Sequence, residues 1–181
     1  MMKKKIVLAT MILCSVFTTG NVLAQSDFND VTGKILVNAG VGLGSYGLYG
    51  TGGLPLTASV EHGFSKNISA GLEVGYVQRN YVSSWRYSYF MIGARGSYHF
   101  NELLNVTNTK LDVYGGAGLL YRHFKVKYKG EWDELYGKST SGDLTIDLHA
   151  GGRYMFSSNV GGFAEVGYGI SPLKLGVTLA L

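Results

Sequence analysis

Apolar and polar residues alternate with a period of two along most of the chain, in segments separated by turn residues. The clearest segment runs from Asp143 to Phe156, where apolar even positions oppose odd positions that include Asp, Thr, His and Arg. Strict alternation of this kind predicts a β-strand with one apolar face and one polar face.

The same pattern predicts eight strands, and their connections differ in length. The predicted ranges are 34–44, 54–64, 68–77, 87–100, 111–124, 143–156, 164–170 and 173–181. Eight antiparallel strands can close into an up-and-down β-barrel, which leaves no unpaired edge strand. The predicted fold class is therefore all-β.

Two barrels of opposite polarity fit this pattern: a soluble lipocalin-type barrel with its apolar face inside, and a membrane barrel with that face outside. The polar face contains ten glycines, at positions 40, 42, 71, 75, 93, 116, 118, 151, 167 and 169. Glycine weakens a water-exposed strand, whereas it fits a narrow lumen. The polar face is therefore predicted to line the interior of a transmembrane barrel.

Charged residues on the polar face are nearly balanced, as enclosed charges require. The predicted interior ionic network consists of Glu61, Glu73, Arg95, Asp112, Asp147, Arg153, Glu165 and Lys174. Arg122 is assigned to the same face. Eight strands leave a lumen that side chains can fill, so we expect a filled polar interior with Glu73, Arg95, Glu165 and Lys174 at mid-barrel.

Aromatic residues on the apolar face cluster near both ends of the predicted strands. The predicted girdle consists of Phe64, Tyr76, Phe90, Tyr98, Tyr121, Tyr154 and Tyr168. Two aromatic belts around an aliphatic band are typical of lipid interfaces. The alternative is that these residues are the core aromatics of a soluble β-sandwich.

The N-terminus has the pattern of a secretory signal peptide. Three lysines precede an apolar run from Ile6 to Phe17, and small or aliphatic residues at Val22 and Ala24 predict cleavage after residue 24. The run is too short for a transmembrane helix. We expect a signal peptide at 1–24, a short lead at 25–30 and a barrel domain at 31–181.

Cleavage changes both the charge and the cysteine content. The only cysteine, Cys14, is removed, so no thiol chemistry is expected in the mature chain. Loss of three lysines leaves thirteen basic residues against twelve acidic ones, which removes the main support for nucleic-acid binding.

One phrase occurs twice, as FSKNISAGLEVGYV at 64–77 and FSSNVGGFAEVGYG at 156–169. We interpret both copies as a tight periplasmic turn that leads into a lipid-facing strand. With this EVGY element and the strand pattern, residues 31–181 resemble the small eight-stranded outer-membrane β-barrel family, of the opacity-protein and OmpX/OmpA-barrel type.

The resemblance implies a location in the outer membrane of a Gram-negative bacterium, in contact with outer-membrane lipid and lipopolysaccharide. It also implies biogenesis through periplasmic chaperones and the outer-membrane assembly machinery. Members of the family commonly end in an aromatic residue, whereas this chain ends in Leu181, so its terminal assembly signal is weak.

Candidate catalytic chemistry is sparse. No P-loop, HExxH, GxSxG or cysteine cluster occurs, and the histidines lack metal-ligand spacing, so neither a metal nor a cofactor is expected. Ser88 and His123 lie near the outer rim on neighbouring strands and could form the nucleophile and base of a lipid-A-modifying enzyme. No carboxylate on that face orients His123, and the His-x-Ser spacing of such enzymes is absent.

The predicted function is a structural or surface-interaction role without catalysis, exerted through the extracellular loops. The long loop between Lys125 and Asp143 supplies Trp132 and Tyr136 as candidate contacts for an unknown extracellular partner. The alternative is a narrow conduit for small or hydrophobic solutes, and a lipid-A-modifying enzyme is a distant third.

Overall fold

The structure is a computed structural model that describes residues 28, 30–46, 51–81, 85–128 and 138–181. The predicted signal peptide and the candidate loop contacts Trp132 and Tyr136 lie outside the described residues. Within the described part of the chain, no helix is long and apolar enough to cross a membrane.

Nine antiparallel strands are present in the described ranges. They are β1 (Ile35–Leu43), β2 (Thr51–Gly52), β3 (Leu56–Ser65), β4 (Ile68–Tyr81), β5 (Trp85–His99), β6 (Leu111–Tyr128), β7 (Lys138–Met155), β8 (Val160–Tyr168) and β9 (Leu173–Ala180). Each long strand pairs with the next one in the chain, and β9 pairs back with β1. The eight long strands therefore form a closed up-and-down barrel, as predicted. The two-residue β2 pairs only with the end of β4.

The two faces of the barrel have opposite chemistry. Aliphatic side chains point outward, and Leu72 and Val177 are 60% and 55% exposed. Charged side chains point inward, and Glu61 and Arg153 are fully buried. A barrel that is apolar outside and charged inside is the transmembrane arrangement, not the lipocalin arrangement.

Four strands extend further toward the outer rim than the alternation predicts. β4 ends at Tyr81, β5 begins at Trp85, β6 ends at Tyr128 and β7 begins at Lys138, whereas the predicted limits were residues 77, 87, 124 and 143. The antiparallel ladders of β4–β5 and β6–β7 continue through these residues. Both hairpins therefore extend past the barrel wall. The prediction underestimated their length because outward side chains beyond the lipid need not be apolar, so the alternating pattern stops before the strand does.

The repeated phrase produces two different turns. After FSKN, β3 and β4 are joined by the two-residue turn Lys66–Asn67, and the register shifts between Gly63 and Ser65. After FSSN, residues 156–159 form a longer bend, in which Asn159 donates to the carbonyl of Ala180 over 2.7 Å. The sequence echo therefore fixes the position of the strands but not the type of turn.

Candidate functional site

Two cations hold the centre of the lumen. Lys174 Nζ lies 2.7 Å from Glu73 Oε1 and 2.5 Å from Glu165 Oε1. Arg95 donates to Glu165 Oε2 over 2.8 Å and lies 3.5 Å from Glu73 Oε2. Glu73 and Glu165 occupy the same place in the two EVGY elements, so the repeat brings two carboxylates to the same pair of cations.

A second cluster joins this centre on the periplasmic side. Arg153 donates to Asp112 over 2.7 Å and to Glu61 over 3.3 Å, and its guanidinium lies 3.9 Å from the ring centroid of Tyr114. Glu61 also lies 3.4 Å from Arg95 Nε, which connects the two clusters. All eight residues of the predicted network are buried in the lumen.

Two histidines belong to this network, although the sequence analysis did not include them. His99 Nδ1 lies 2.8 Å from Asp112, and its Nε2 lies 2.9 Å from Ser69. His149 Nδ1 lies 2.6 Å from Asp147, and its Nε2 lies 2.9 Å from Ser97. Their inward parity on β5 and β7 was the signal available in the sequence.

The two serines connect these histidines to a third carboxylate. Ser69 and Ser97 each donate a hydroxyl proton to Glu61 Oε2, over 2.8 Å and 2.6 Å. Hydrogen bonds through the two serines and the two histidines therefore link Glu61 to Asp112 and to Asp147.

Each of the two histidines lies between a serine and a carboxylate, as the base does in a catalytic triad. The two sets are Asp112–His99–Ser69 and Asp147–His149–Ser97. Catalysis also requires substrate to reach the hydroxyl, and Ser69 and Ser97 are 0% and 4% exposed. The described cavity at the centre of the lumen has a volume of only about 10 Å³, at the lower limit for one water. Neither serine hydroxyl is therefore accessible to a substrate in the described lumen.

Apolar layers close the described lumen above and below the ionic network. The periplasmic layer consists of Phe28, Val31, Leu36, Met155 and Ala180, and the outer layer consists of Val77, Tyr89, Met91, Leu120 and Ile170. The sequence analysis missed both layers because the members on strands fall on the face it assigned to glycines and ions. Isolated apolar residues at the ends of that face were the available signal.

The N-terminal lead is part of the periplasmic layer. Phe28 is 1% exposed, its backbone N–H donates to Thr109 over 3.2 Å, and its carbonyl accepts from Asn101 over 2.7 Å. A Cβ at Gly63 would overlap the carbonyl of Val31, so glycine permits this close approach. Phe28, within the predicted lead, therefore contributes to closing this end of the described lumen.

All seven side chains of the predicted girdle point outward and are 40–66% exposed. Tyr76 pairs with Phe90, and Tyr121 pairs with the neighbouring Ile92, which places these aromatics near one level of the wall. Tyr98 pairs with Ile68 near the periplasmic turns, and its ring lies 5.0 Å from that of Phe100. The girdle residues are thus divided between the two rims.

Arg122, assigned to the polar face, lies outside the ionic network. It pairs with Asp143 through two hydrogen bonds, of 3.1 Å and 2.5 Å, at the outer rim. The two side chains are 26% and 45% exposed, so they lie at the solvent boundary. The face was correct, but the height along the strand placed Arg122 beyond the apolar outer layer.

A groove with a volume of about 380 Å³ lies on the outward face near the outer rim, and both Ser88 and His123 line it. Ser88 pairs in register with Lys125, and His123 pairs with Phe90. Among the described residues, neither side chain forms a hydrogen bond, and no carboxylate lines the groove. No group of three or more potential metal ligands occurs in the described ranges.

Comparison with known proteins gives matches only at the level of structure, because no family profile and no curated sequence matches. The N-terminal barrel domain of Pseudomonas aeruginosa OprF matches with a TM-score of 0.55 and 16% identity, over 83% of this chain and 98% of that one. Neisserial surface protein A matches with a TM-score of 0.53 and 16% identity, over 81% and 93%.

The Yersinia pestis attachment invasion locus protein Ail, solved with the heparin analogue sucrose octasulfate, matches with a TM-score of 0.50 and 15% identity, over 82% and 95%. The shared feature is the small closed β-barrel. The chain therefore has the fold of the small eight-stranded outer-membrane β-barrels, as its strand pattern predicted.

Proposed function

We propose that this protein is a closed, non-enzymatic outer-membrane barrel that acts through its extracellular surface. The observation that carries this proposal is the filling of the described lumen by two apolar layers and, between them, an ionic network in which each arginine and lysine contacts at least two carboxylates. A solute would have to displace both layers and separate buried ion pairs. The geometry therefore disfavours the alternative of a narrow conduit.

Absence of catalysis is part of the same proposal. The serines with a histidine partner are sealed in the lumen, and the exposed Ser88 has no hydrogen-bonded base among the described residues. A Ser88→Ala variant should retain the lipid A profile of the parent strain by mass spectrometry. Loss of a lipid A modification in that variant would establish an enzyme.

Extended hairpins supply the surface. β6 continues for seven residues past Tyr121, roughly 23 Å of strand at about 3.3 Å per residue. An exposed strand pair of this length can present side chains or an edge to a partner. Trp132 and Tyr136 remain the predicted contacts. Ail, which has this fold, was solved with a heparin analogue, which makes sulfated glycans one class of extracellular ligand to test.

Conductance in planar bilayers tests the closed lumen. The purified mature barrel should give no stable channels, and removing one layer in Leu120→Ala should still give none because the ionic network and the periplasmic layer remain. Parallel gel mobility before and after boiling verifies that each sample is folded. Stable single-channel steps from the folded wild-type protein would favour the conduit.

Assembly through periplasmic chaperones and the outer-membrane machinery is also proposed. Leu181, which directly follows β9, is 50% exposed. Leu181→Phe should increase the fraction of heat-modifiable protein in the outer membrane soon after induction. The isosteric control Leu181→Ile should behave like wild type. Equal assembly of both variants would argue against recognition of this terminus.

A further inference from the structure

The groove on the outward face is cationic and lies next to the aromatic belt. Its lining includes Arg86, Lys125 and Lys127, together with His123 and the belt residues Tyr76 and Phe90. These side chains share the parity of the lipid-facing residues on β4, β5 and β6. The same face of the sheet therefore changes from aliphatic to aromatic to cationic as it leaves the membrane.

The cations of the groove repel one another. Arg86 and Lys127 are directly opposite in the β5–β6 register, and Lys125 follows two positions away on the same face. Like charges placed opposite on neighbouring strands destabilise a sheet. The described outward positions of β4 to β7 beyond the belt contain no carboxylate. Arg86 Nε is buried and has no hydrogen-bond partner in the described part of the chain.

This arrangement contrasts with the inward face at the same height, where Arg122 has Asp143 as its partner. The outward cations therefore fit an anion supplied from outside the chain. Guanidinium and ammonium groups are the usual ligands of phosphate, since Arg can bind two oxygens at once and Lys adds a point charge. The Ser88 hydroxyl offers a further donor in the groove.

The position of the groove selects the anion. Aromatic belts lie at the boundary between acyl chains and headgroups, so a site immediately beyond the outer belt faces the phosphate layer of the outer leaflet. In a Gram-negative outer membrane, the phosphorylated lipid of this leaflet is lipopolysaccharide. We propose that the groove binds the lipid A phosphates of lipopolysaccharide, while Tyr76 and Phe90 pack beside the sugar or acyl chains.

This inference deepens the proposed surface role and depends on the outer-membrane orientation. Binding is measured on the folded mature barrel in detergent by native mass spectrometry, with bis-phosphorylated lipid A and its dephosphorylated form as probes. The wild type should retain bis-phosphorylated lipid A at least tenfold better than the dephosphorylated form. Because the contact is electrostatic and partly exposed, retention should fall as salt increases.

Two matched double variants are compared, one that removes two lysines at the groove and one that removes two lysines at the opposite end of the barrel. Lys125→Gln/Lys127→Gln should reduce retention of bis-phosphorylated lipid A at least tenfold, and Arg86→Gln should have a similar effect. Lys66→Gln/Lys110→Gln, which removes the same charge at the periplasmic turns, should retain wild-type binding. Gel mobility before and after boiling confirms that each variant is folded.

Three outcomes would overturn the proposal. The first is equal binding of lipid A by the groove variant and the wild type, and the second is equal binding of the dephosphorylated lipid. The third is groove-dependent binding of heparin fragments without binding of lipid A, which would assign the groove to a sulfated glycan. None of these outcomes concerns the lumen, whose closure is tested independently by conductance.

Discussion

The lumen and the outer groove both concentrate charge, but they treat it in opposite ways. In the lumen, Arg95, Arg153 and Lys174 each contact at least two carboxylates and are almost completely buried. In the groove, Arg86 and Lys127 face each other with no described carboxylate between them. The arginines and the lysine of the lumen thus each contact carboxylates of the chain, whereas the groove cations have no carboxylate among the described groove residues.

This difference has a physical cause. Charges transferred from water to a lumen without solvent incur a large desolvation cost unless each one has close partners. Charges at the rim remain partly hydrated, so an unpaired cluster is tolerated until an anion arrives. Paired charge therefore serves structure in this barrel, whereas unpaired charge is available for binding.

The largest expected effect comes from breaking the paired region. Arg153→Met leaves Asp112 and Glu61 buried without their cation, and removing one partner of a buried pair costs about 3 to 5 kcal/mol. Urea unfolding in lipid vesicles, followed by gel mobility, should show this loss. Arg122→Met removes a rim arginine and should cost less than about 1 kcal/mol. An equal decrease in the free energy of unfolding in the two variants would contradict the distinction between buried and rim ion pairs.

A smaller effect is expected from the apolar layer. Leu120 is fully buried against Val77 and Ile170, and truncation of a buried leucine costs about 2 to 5 kcal/mol according to how far the site relaxes. Leu120→Ala should therefore lower the urea midpoint without altering lipid A binding. Leu119→Ala, one residue away but facing lipid, is the control and should change the midpoint less. A larger decrease of the urea midpoint in Leu119→Ala than in Leu120→Ala would contradict the assignment of Leu120 to the apolar outer layer.

Neutralising the groove should act in the opposite direction on stability. Relief of the repulsion between Arg86 and Lys127 in Lys127→Gln should stabilise the barrel by roughly 0.2 to 1 kcal/mol. The measurement is urea unfolding in uncharged lipid, and added bis-phosphorylated lipid A should reverse the order of wild type and variant. Destabilisation in uncharged lipid would show that Lys127 has a partner within the chain.

The smallest effect is expected at the periplasmic turns, which lie outside the membrane-spanning segments. Hydrogen bonds from Asn67 and Lys66 lower the pKa of the exposed Glu102 below its ordinary value of 4.5. A lowered pKa in the folded state gives stability that is present above the unfolded pKa and is lost as the pH falls through the folded pKa. Glu102→Gln should therefore be less stable than wild type at neutral pH, and urea unfolding should show the two converging as the pH falls below the ordinary pKa of the carboxyl.

The sequence predicted the closed barrel and its polarity because strand alternation records directly which side chains meet lipid and which meet the lumen. The same parity assigned the eight predicted network residues to the inward face and the seven predicted girdle residues to the outward face, where the structure places them. It did not predict the heights of residues along the barrel. Arg122 faces inward as Arg95 does, but it forms its ion pair at the rim, because the stagger between strands determines which residues are its neighbours.

Partnerships across the lumen were decided only by the tertiary structure. His99 and Asp112 lie on neighbouring strands, but Arg153 meets Glu61 from the opposite wall, and no local pattern encodes such a contact. Closure by Phe28 likewise depends on its packing with Leu36, Met155 and Ala180, which come from three different strands. Alternation is a local property that survives in the sequence, whereas pairing of enclosed charges and sealing of the ends arise when eight strands close around one narrow space.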